Sequence, residues 1–263
     1  MDMVQDIECL KDIYFYEGNL LVKTLTSEHE LTASYALRHK VYAEALHWVD
    51  TSSDELEVDA YDAWGTSLGV FSEIGSVIGV IRLLPSHGPF MLESDFQSCM
   101  TPGYTFRKER DTNEITRLTI DPSLTDKGLS SRMLLILLKG LYQWLVLNDV
   151  QYSYMVIEKR FLRVLHRLGF PAKPISPFLS LPPAGAVCGA ALLDWEEFRQ
   201  ENARKRPEFL EWMSMVSETN AIEAVGTLCD STTRLTGIDH WLAEKSNARG
   251  SHAAKQESLV GAC

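Results

Sequence analysis

The stretch EITRLTIDPSLTDKGLSSRML, residues 114–134, decides how this chain folds. Its first eight residues suit a buried strand, because β-branched and apolar side chains pack well on a pleated surface. Asp121, Pro122 and Ser123 then supply turn chemistry. From Gly128 onward an apolar run, interrupted by Lys139 and Gln143, predicts a helix over 128–148. A strand, a short polar turn and a long helix in succession call for a sheet with a helix packed on one face.

Working outward, 151–157 reads as the next strand and 161–168 as a helix that stops at Gly169. Residues 186–193 read as a last core strand. Upstream, 66–71 and 77–84 form an antiparallel hairpin around Gly75-Ser76, with Pro85 ending its second strand. Before it, 13–16 and 20–25 are strands joined by Gly18-Asn19. Ser27 and Glu30 make a capping box for a helix that places Arg38 and Tyr42, four apart, on one face. Residues 50–62 are acidic and irregular, and 86–112 have little periodicity. This order gives an α+β, three-layer fold with a mixed, mainly antiparallel sheet, not a regular doubly wound one. The chain divides into a domain over 1–195, a charged helical extension over 196–242 and a disordered tail over 243–263.

Composition narrows the function. A net charge of −11 in 263 residues argues against broad nucleic-acid binding, which needs clustered Lys and Arg. The five cysteines are odd in number and scattered, with no CxxC or Cys/His cluster, so neither zinc nor a disulfide framework is expected. The histidines show no metal-ligand spacing. The beginning, MDMVQDIECL, lacks the basic-then-apolar order of a signal peptide. The apolar run before Asn148 is too short and too amphipathic to span a bilayer. A soluble, cytoplasmic monomer without membrane contacts is expected.

Seven residues stand out as costly to bury without a partner: Arg38, Trp48, Asp59, Asp62, Arg82, Glu114 and Arg117. Their order and spacing resemble the motif of the acyl-homoserine-lactone synthase (autoinducer synthase) family, Arg, Phe, Trp, Asp, Asp, Arg, Glu, Arg, with Tyr42 in the place of the Phe. The segment PFMLESDF, 89–96, also has a counterpart in that family. The resemblance covers about residues 12–195. It implies the GNAT-like acyltransferase fold and a reaction in which S-adenosylmethionine, a substrate and not a cofactor, is acylated on its amine and closed to a lactone.

The side chains match that ligand. Arginine forks suit its carboxylate, carboxylates suit its amine and sulfonium, and aromatic faces suit a cation or the adenine. Arg38, Tyr42, Trp48, Asp59, Asp62 and Arg82 supply these groups. A second reading stands beside this one: Arg38 and Arg82 pair with Asp59 and Asp62 in a buried network. Trp48 taken alone reads as core. Glu114 is the expected base for the amine, and backbone N–H groups near 118–120 the expected oxyanion donors. Thr116 shares the Glu114 face and is expected to position the amine or a water. Arg117 falls on the opposite face of a regular strand. Either a β-bulge realigns it or it is structural.

The acyl donor, acyl carrier protein or acyl-coenzyme A, is implied by the same resemblance. Gly128 at a helix N-terminus suits phosphopantetheine, although an ordinary strand–helix turn looks the same. Met155 and Leu138, with Phe90 and Met91, are expected along an acyl tunnel. Met155 stands where relatives preferring 3-oxo chains carry Thr, which implies an unsubstituted chain. Lys159, Arg160, Arg163 and Arg167 gather on one side of a helix, either as a solvated face or as a dock for the acidic carrier protein. Two alternatives remain: an N-acyl amino acid synthase of the same fold, and a non-catalytic module that binds S-adenosylmethionine or carrier protein.

Overall fold

A computed structural model describes residues 10–124 and 126–215; the side chain of Lys127 lies outside that description. One nine-stranded sheet organises them. Its strands are β1 (Tyr14–Glu17), β2 (Leu20–Thr24), β3 (Thr66–Phe71), β4 (Val77–Pro85), β5 (Thr112–Ile120), β6 (Tyr152–Glu158), β7 (Lys173–Pro174), β8 (Leu179–Leu181) and β9 (Ala186–Asp194). They run in the order β1-β2-β3-β4-β5-β6-β9, with β7 and β8 both paired to β9. Every pairing is antiparallel except β5–β6. The expected α+β sheet is present, and the short strands β7 and β8 are additions that sequence periodicity did not disclose.

Helices cover both faces. On one lies α1 (Glu28–His39), started by the reciprocal Ser27–Glu30 capping box. On the other lie α2 (Lys127–Leu147) and α3 (Lys159–Leu168), with α4 (Trp195–Lys205) and α5 (Pro207–Ser214). The α2 side holds the main core, where Leu137, Leu141 and Trp144 pack against Val70, Ile81 and Ile115. Burial of large apolar side chains of this kind stabilises by about 1.5–3 kcal/mol each. Gly140 is needed at the α2–β2 contact, since a Cβ there would lie 2.6 Å from Val22 Cγ1. Gly169 ends α3 in the left-handed conformation at φ 100°.

The two polar residues that interrupt the apolar run of α2 anchor neighbouring elements. Lys139 is buried and pairs with Glu17 of β1 at 2.5 Å, between the rings of Phe15 and Trp212. Gln143 donates to the Met213 carbonyl of α5. Trp195 and Phe198 of α4 and Met213 of α5 belong to the same core as the sheet. The segment read as a helical extension therefore starts with two packed helices. Its remainder, and the tail expected over 243–263, lie outside the described residues.

Two local departures from regularity set up the site. First, α1 continues as a π-helix over Lys40–Ala45. The wider π turn changes the angle between Arg38 and Tyr42, which in an α-helix would share one face. Second, β5 carries one extra residue against β4: Arg82 opposes Thr116 while Val80 opposes Thr119. The bulge centres on Arg117, which takes φ 53°. Left-handed backbone costs a non-glycine residue roughly 1–2 kcal/mol. Beyond Ile115↔Met155 the β5–β6 pairing stops, while β6 goes on pairing with β9 to Glu158. The two parallel strands thus splay apart from the bulge onward.

Candidate active site

Three arginines and three carboxylates from four elements interlock on the α1 face of the sheet. Arg38 of α1 makes a two-point contact with Asp62, at 2.7 and 3.0 Å, and a third bond to Glu57. Arg82 of β4 reaches Asp62 at 2.7 Å and Asp59 at 2.9 Å. Arg117 of β5 reaches Glu57 and Asp59, both at 2.8 Å. Charge alternates around this ring and sums to zero. Side-chain exposure is 0% for Arg38 and Arg82, 8% for Arg117 and 20% for Asp59, so Asp59 is the ring's most open member. A short 3-10 turn, Ala60–Ala63, holds Asp59 and Asp62 through a reciprocal cap of their own.

The ring sets its own protonation. Burial alone would raise the Asp59 pKa, but the Arg82 hydrogen bond and the Arg117 charge outweigh it and hold Asp59 below the ordinary carboxylate range. Burial likewise opposes ionisation of Asp62, and Arg38 reverses the effect. Arg117 is buried, yet the charge and hydrogen bonds of Glu57, with the Asp59 charge, keep it more basic than usual. Asp59 and Asp62 are therefore held as carboxylates, and Arg38 and Arg117 as cations, at neutral pH.

The bulge brings Arg117 to the same side as Glu114 and Thr116, the first of the two arrangements expected for it. Thr116 Oγ1 accepts from Arg82 Nε at 3.0 Å, so its oxygen is engaged with the ring. Met91 links the ring to Glu114. Its sulfur lies 3.4 Å from Arg82 Nη2 and 3.7 Å from Arg117 Nη1, while its backbone N–H donates to Glu114 at 2.5 Å. Leu92 N–H donates to the other Glu114 oxygen at 3.2 Å. Glu114 is wholly buried. Burial pushes its pKa up to about 8, against the pull of the Met91 and Leu92 N–H donors and the Arg82 and Lys108 charges. It is the one carboxylate here poised to exchange a proton near neutrality.

Tyr42 is buried, and its hydroxyl donates to the Leu118 carbonyl at 2.9 Å. Trp48 is half-buried, with its ring centroid 5.9 Å from that of Tyr42. Sequence reasoning missed Glu57. It lies two residues before Asp59, in a stretch already marked as acidic. Its absence was concealed because Arg38, Arg82 and Arg117 balance Asp59, Asp62 and Glu114 on paper. In space the third ring carboxylate is Glu57, and Glu114 is held by backbone N–H groups instead.

On the opposite face, beneath the splay, lies an apolar pocket lined by Ile115, Leu118, Leu138, Met155, Phe161 and Trp195, among others. Met155 and Leu138 line this pocket. Phe90 and Met91 do not: both lie across the sheet, Phe90 in the cluster with Tyr154 and Leu84, because the 86–93 segment covers the Glu114 face. At the head of α2, Asp126 caps the helix by accepting from Leu129 N–H at 2.8 Å, so a carboxylate occupies the N-terminus beside Gly128. Lys159, Arg160, Arg163 and Arg167 are all exposed on α3, whose other side buries Phe161, Leu162 and Leu165. Among the described residues, no group of three or more His, Cys, Asp or Glu side chains is placed to hold a metal ion, and no helix is long and apolar enough to cross a membrane.

Comparison with known proteins places this geometry. A family model described as autoinducer synthase matches residues 22–202. An acyl-homoserine-lactone synthase of Agrobacterium fabrum is 28% identical over 174 residues, covering 65% of this chain and 82% of the relative. One described as probable, from Sinorhizobium fredii, is 28% identical over 163 residues, covering 60% and 78%. Among solved structures, the AHL synthase LasI aligns with a TM-score of 0.58 at 21% identity, over 66% of this chain and 89% of that one. The coenzyme A-dependent acyl-homoserine lactone synthase BjaI, solved with MTA, aligns at 0.56 and 23%, over 67% and 82%. FeeM, an N-acyl amino acid synthase, shares the fold at 0.51 and 14%, over 71% and 96%.

The ring makes one stability prediction. Glu57→Gln leaves Arg38 and Arg117 each short of a charge partner in a buried setting, where breaking a pair costs about 3–5 kcal/mol. Urea denaturation should show a loss of that size. A loss below about 1 kcal/mol would mean that the ring is not a cooperative unit.

Proposed function

The chain belongs to the autoinducer synthase family, and we propose that it makes an N-acyl-homoserine lactone for quorum sensing from S-adenosylmethionine and an acyl thioester, with methylthioadenosine as the released by-product. The observation that carries the assignment is the buried ring bordering Glu114, directly across the sheet from an apolar pocket. A charged substrate and an apolar chain thereby meet at the splay between β5 and β6.

On the ring side, the amine and sulfonium of S-adenosylmethionine face Asp59 and Asp62, of which Asp59 is the more open. Arg38 and Arg82 already hold ring carboxylates, so each shares its fork with the methionine carboxylate. Trp48 and Tyr42 supply aromatic faces beside them. Glu114 accepts the proton of the attacking amine, directly or through one water. To do so it must loosen one of its two N–H bonds to the Met91–Glu93 turn. Thr116 and Arg117 position this proton path through Arg82 and Met91. Backbone N–H groups after the bulge receive the negative charge on the thioester oxygen, and collapse of that adduct breaks the C–S bond, so that the pantetheine sulfur leaves as a thiol with the proton held by Glu114. The methionine carboxylate then attacks its own γ-carbon, and the sulfonium leaves as methylthioadenosine; holding the bent conformer is the protein's part in that step. The reaction needs no cofactor beyond the two substrates.

The acyl chain lies in the pocket past Met155, and its thioester arm approaches the head of α2 near Gly128. The donor we infer is acyl carrier protein, because the exposed cations of α3 stand beside the pocket in an otherwise acidic chain. The Asp126 carboxylate at the head of α2 also disfavours the extra phosphates of coenzyme A. A monomer working in the cytoplasm satisfies this scheme. The N-acyl amino acid synthase alternative shares the pocket and uses a carboxylate for its amine, but its substrate has no sulfonium to engage the second.

Mass spectrometry of extract from a host expressing the chain should reveal an N-acyl-homoserine lactone; an N-acyl amino acid alone would replace this reading with the alternative. Because the Glu114 pKa is raised, its base form is lost as pH falls below about 8. Acyl-transfer rate should therefore rise about tenfold per pH unit up to that point and level off above it. Glu114→Gln should lower turnover by on the order of 10²–10⁴-fold while S-adenosylmethionine binding survives. Unchanged turnover would remove Glu114 from this role. Arg160→Glu with Arg163→Glu should raise the KM for acyl carrier protein at least tenfold and leave S-adenosylmethionine binding alone. An unchanged KM would point to coenzyme A or to another docking face.

A further inference from the structure

Tyr42 differs from the family motif by one hydroxyl, and the structure shows where that hydroxyl goes. It donates to the Leu118 carbonyl at 2.9 Å, on the residue that follows the bulge. The same ring lies beneath the Arg117 guanidinium, whose Cζ is 5.4 Å from the ring centroid. Tyr42 therefore grips the bulge at two points, the side chain of Arg117 and the backbone of Leu118. Phenylalanine could supply only the first.

The direction of Leu118 matters for the reaction. Asp121 N–H donates to the Ile78 carbonyl, and Thr119 pairs with Val80, so the backbone groups of 119 and 121 turn toward β4. Neighbouring residues of a strand point their N–H and C=O groups to opposite edges. Those of Leu118 consequently turn to the other edge, where pairing with β6 has already ended. Its N–H and C=O both face the splay, and its side chain lines the apolar pocket. A thioester whose chain enters that pocket presents its carbonyl oxygen at the same edge.

We propose that Tyr42 is a positioning residue for acyl transfer: by tethering the Leu118 carbonyl and supporting Arg117, it fixes the bulge so that the Leu118 N–H is aimed at the thioester oxygen. The inference rests on the proposed function. The π-helix over Lys40–Ala45 is the local device that lets Tyr42 turn toward β5 while Arg38 turns toward Glu57 and Asp62. An oxyanion donor works only when held in place before charge develops, and a displacement of about 1 Å can cost on the order of 10²-fold in rate. The strained φ of Arg117 gives the bulge a reason to relax once the tether is cut.

Tyr42→Phe keeps the ring and deletes the hydroxyl that makes the tether. Steady-state kinetics should show kcat reduced by at least tenfold, with the KM for S-adenosylmethionine within about twofold of the wild-type value. Amide hydrogen exchange should be faster at Thr119 and Asp121, which pair with β4, by more than any change in global stability explains. An unchanged kcat would overturn the proposal. So would a raised KM for S-adenosylmethionine with kcat intact, which would make Tyr42 a binding residue only. If the variant unfolds at the assay temperature, exchange measured below its melting point still decides: unaltered protection at Thr119 and Asp121, the amides paired with β4 beside the bulge, refutes the tether. Failure of the underlying reading is separately visible, because the wild-type chain would then yield no lactone in the same assay.

Discussion

Three guanidinium groups buried beside one another have to be neutralised where they stand, and much of this architecture follows from that requirement. Arg38, Arg82 and Arg117 come from α1, β4 and β5, and Glu57, Asp59 and Asp62 come from the irregular segment between α1 and β3. A buried ion pair contributes little net stability, since desolvation offsets most of the attraction, but an incomplete one is severely penalised. The ring therefore acts chiefly through specificity. It accepts one registration of helix, turn and two strands and rejects others. Arg117 can join only from the α1 face, and the β5 bulge with its left-handed residue is what puts it there.

That bulge links the ring to the chemistry. It ends regular β5–β6 pairing, turns Leu118 toward the pocket and leaves Glu114 and Arg117 touching opposite ends of Met91. Polar and apolar halves of the site thus lie on opposite faces of one sheet and communicate only at the splay. The arrangement suits a reaction that joins a zwitterionic amine to an apolar acyl chain. Glu114 is kept apart from the ring's neutral ledger, held by backbone dipoles and burial instead of by a paired arginine. That separation is why its pKa rises while those of Asp59 and Asp62 fall.

Much of the fold was legible because its signals are local. The Ser27–Glu30 cap, the hairpin around Gly75, the strand at 114–120 and the Gly169 stop all appear where their side chains demand. The α2 helix was legible from its apolar run, but the purpose of Lys139 was not, because Glu17 lies far away in sequence. The same limit hid Glu57, a residue whose importance comes from two arginines on separate elements. The Arg117 bulge could be posed as an alternative from the two-residue period, yet only the register with β4 decides it. Phe90 and Met91 looked like tunnel residues by composition. The side of the sheet taken by an irregular segment is fixed by tertiary contacts, here the Met91 and Leu92 N–H bonds to Glu114.

The central claim is that one site couples acylation of S-adenosylmethionine to expulsion of its sulfonium. Purified chain given S-adenosylmethionine and an acyl thioester of carrier protein tests it most directly, with methylthioadenosine and lactone quantified in the same reaction. The account predicts that the two appear in equal amounts, one for each thioester consumed. Thioester consumption with an N-acylated product and no methylthioadenosine would contradict it.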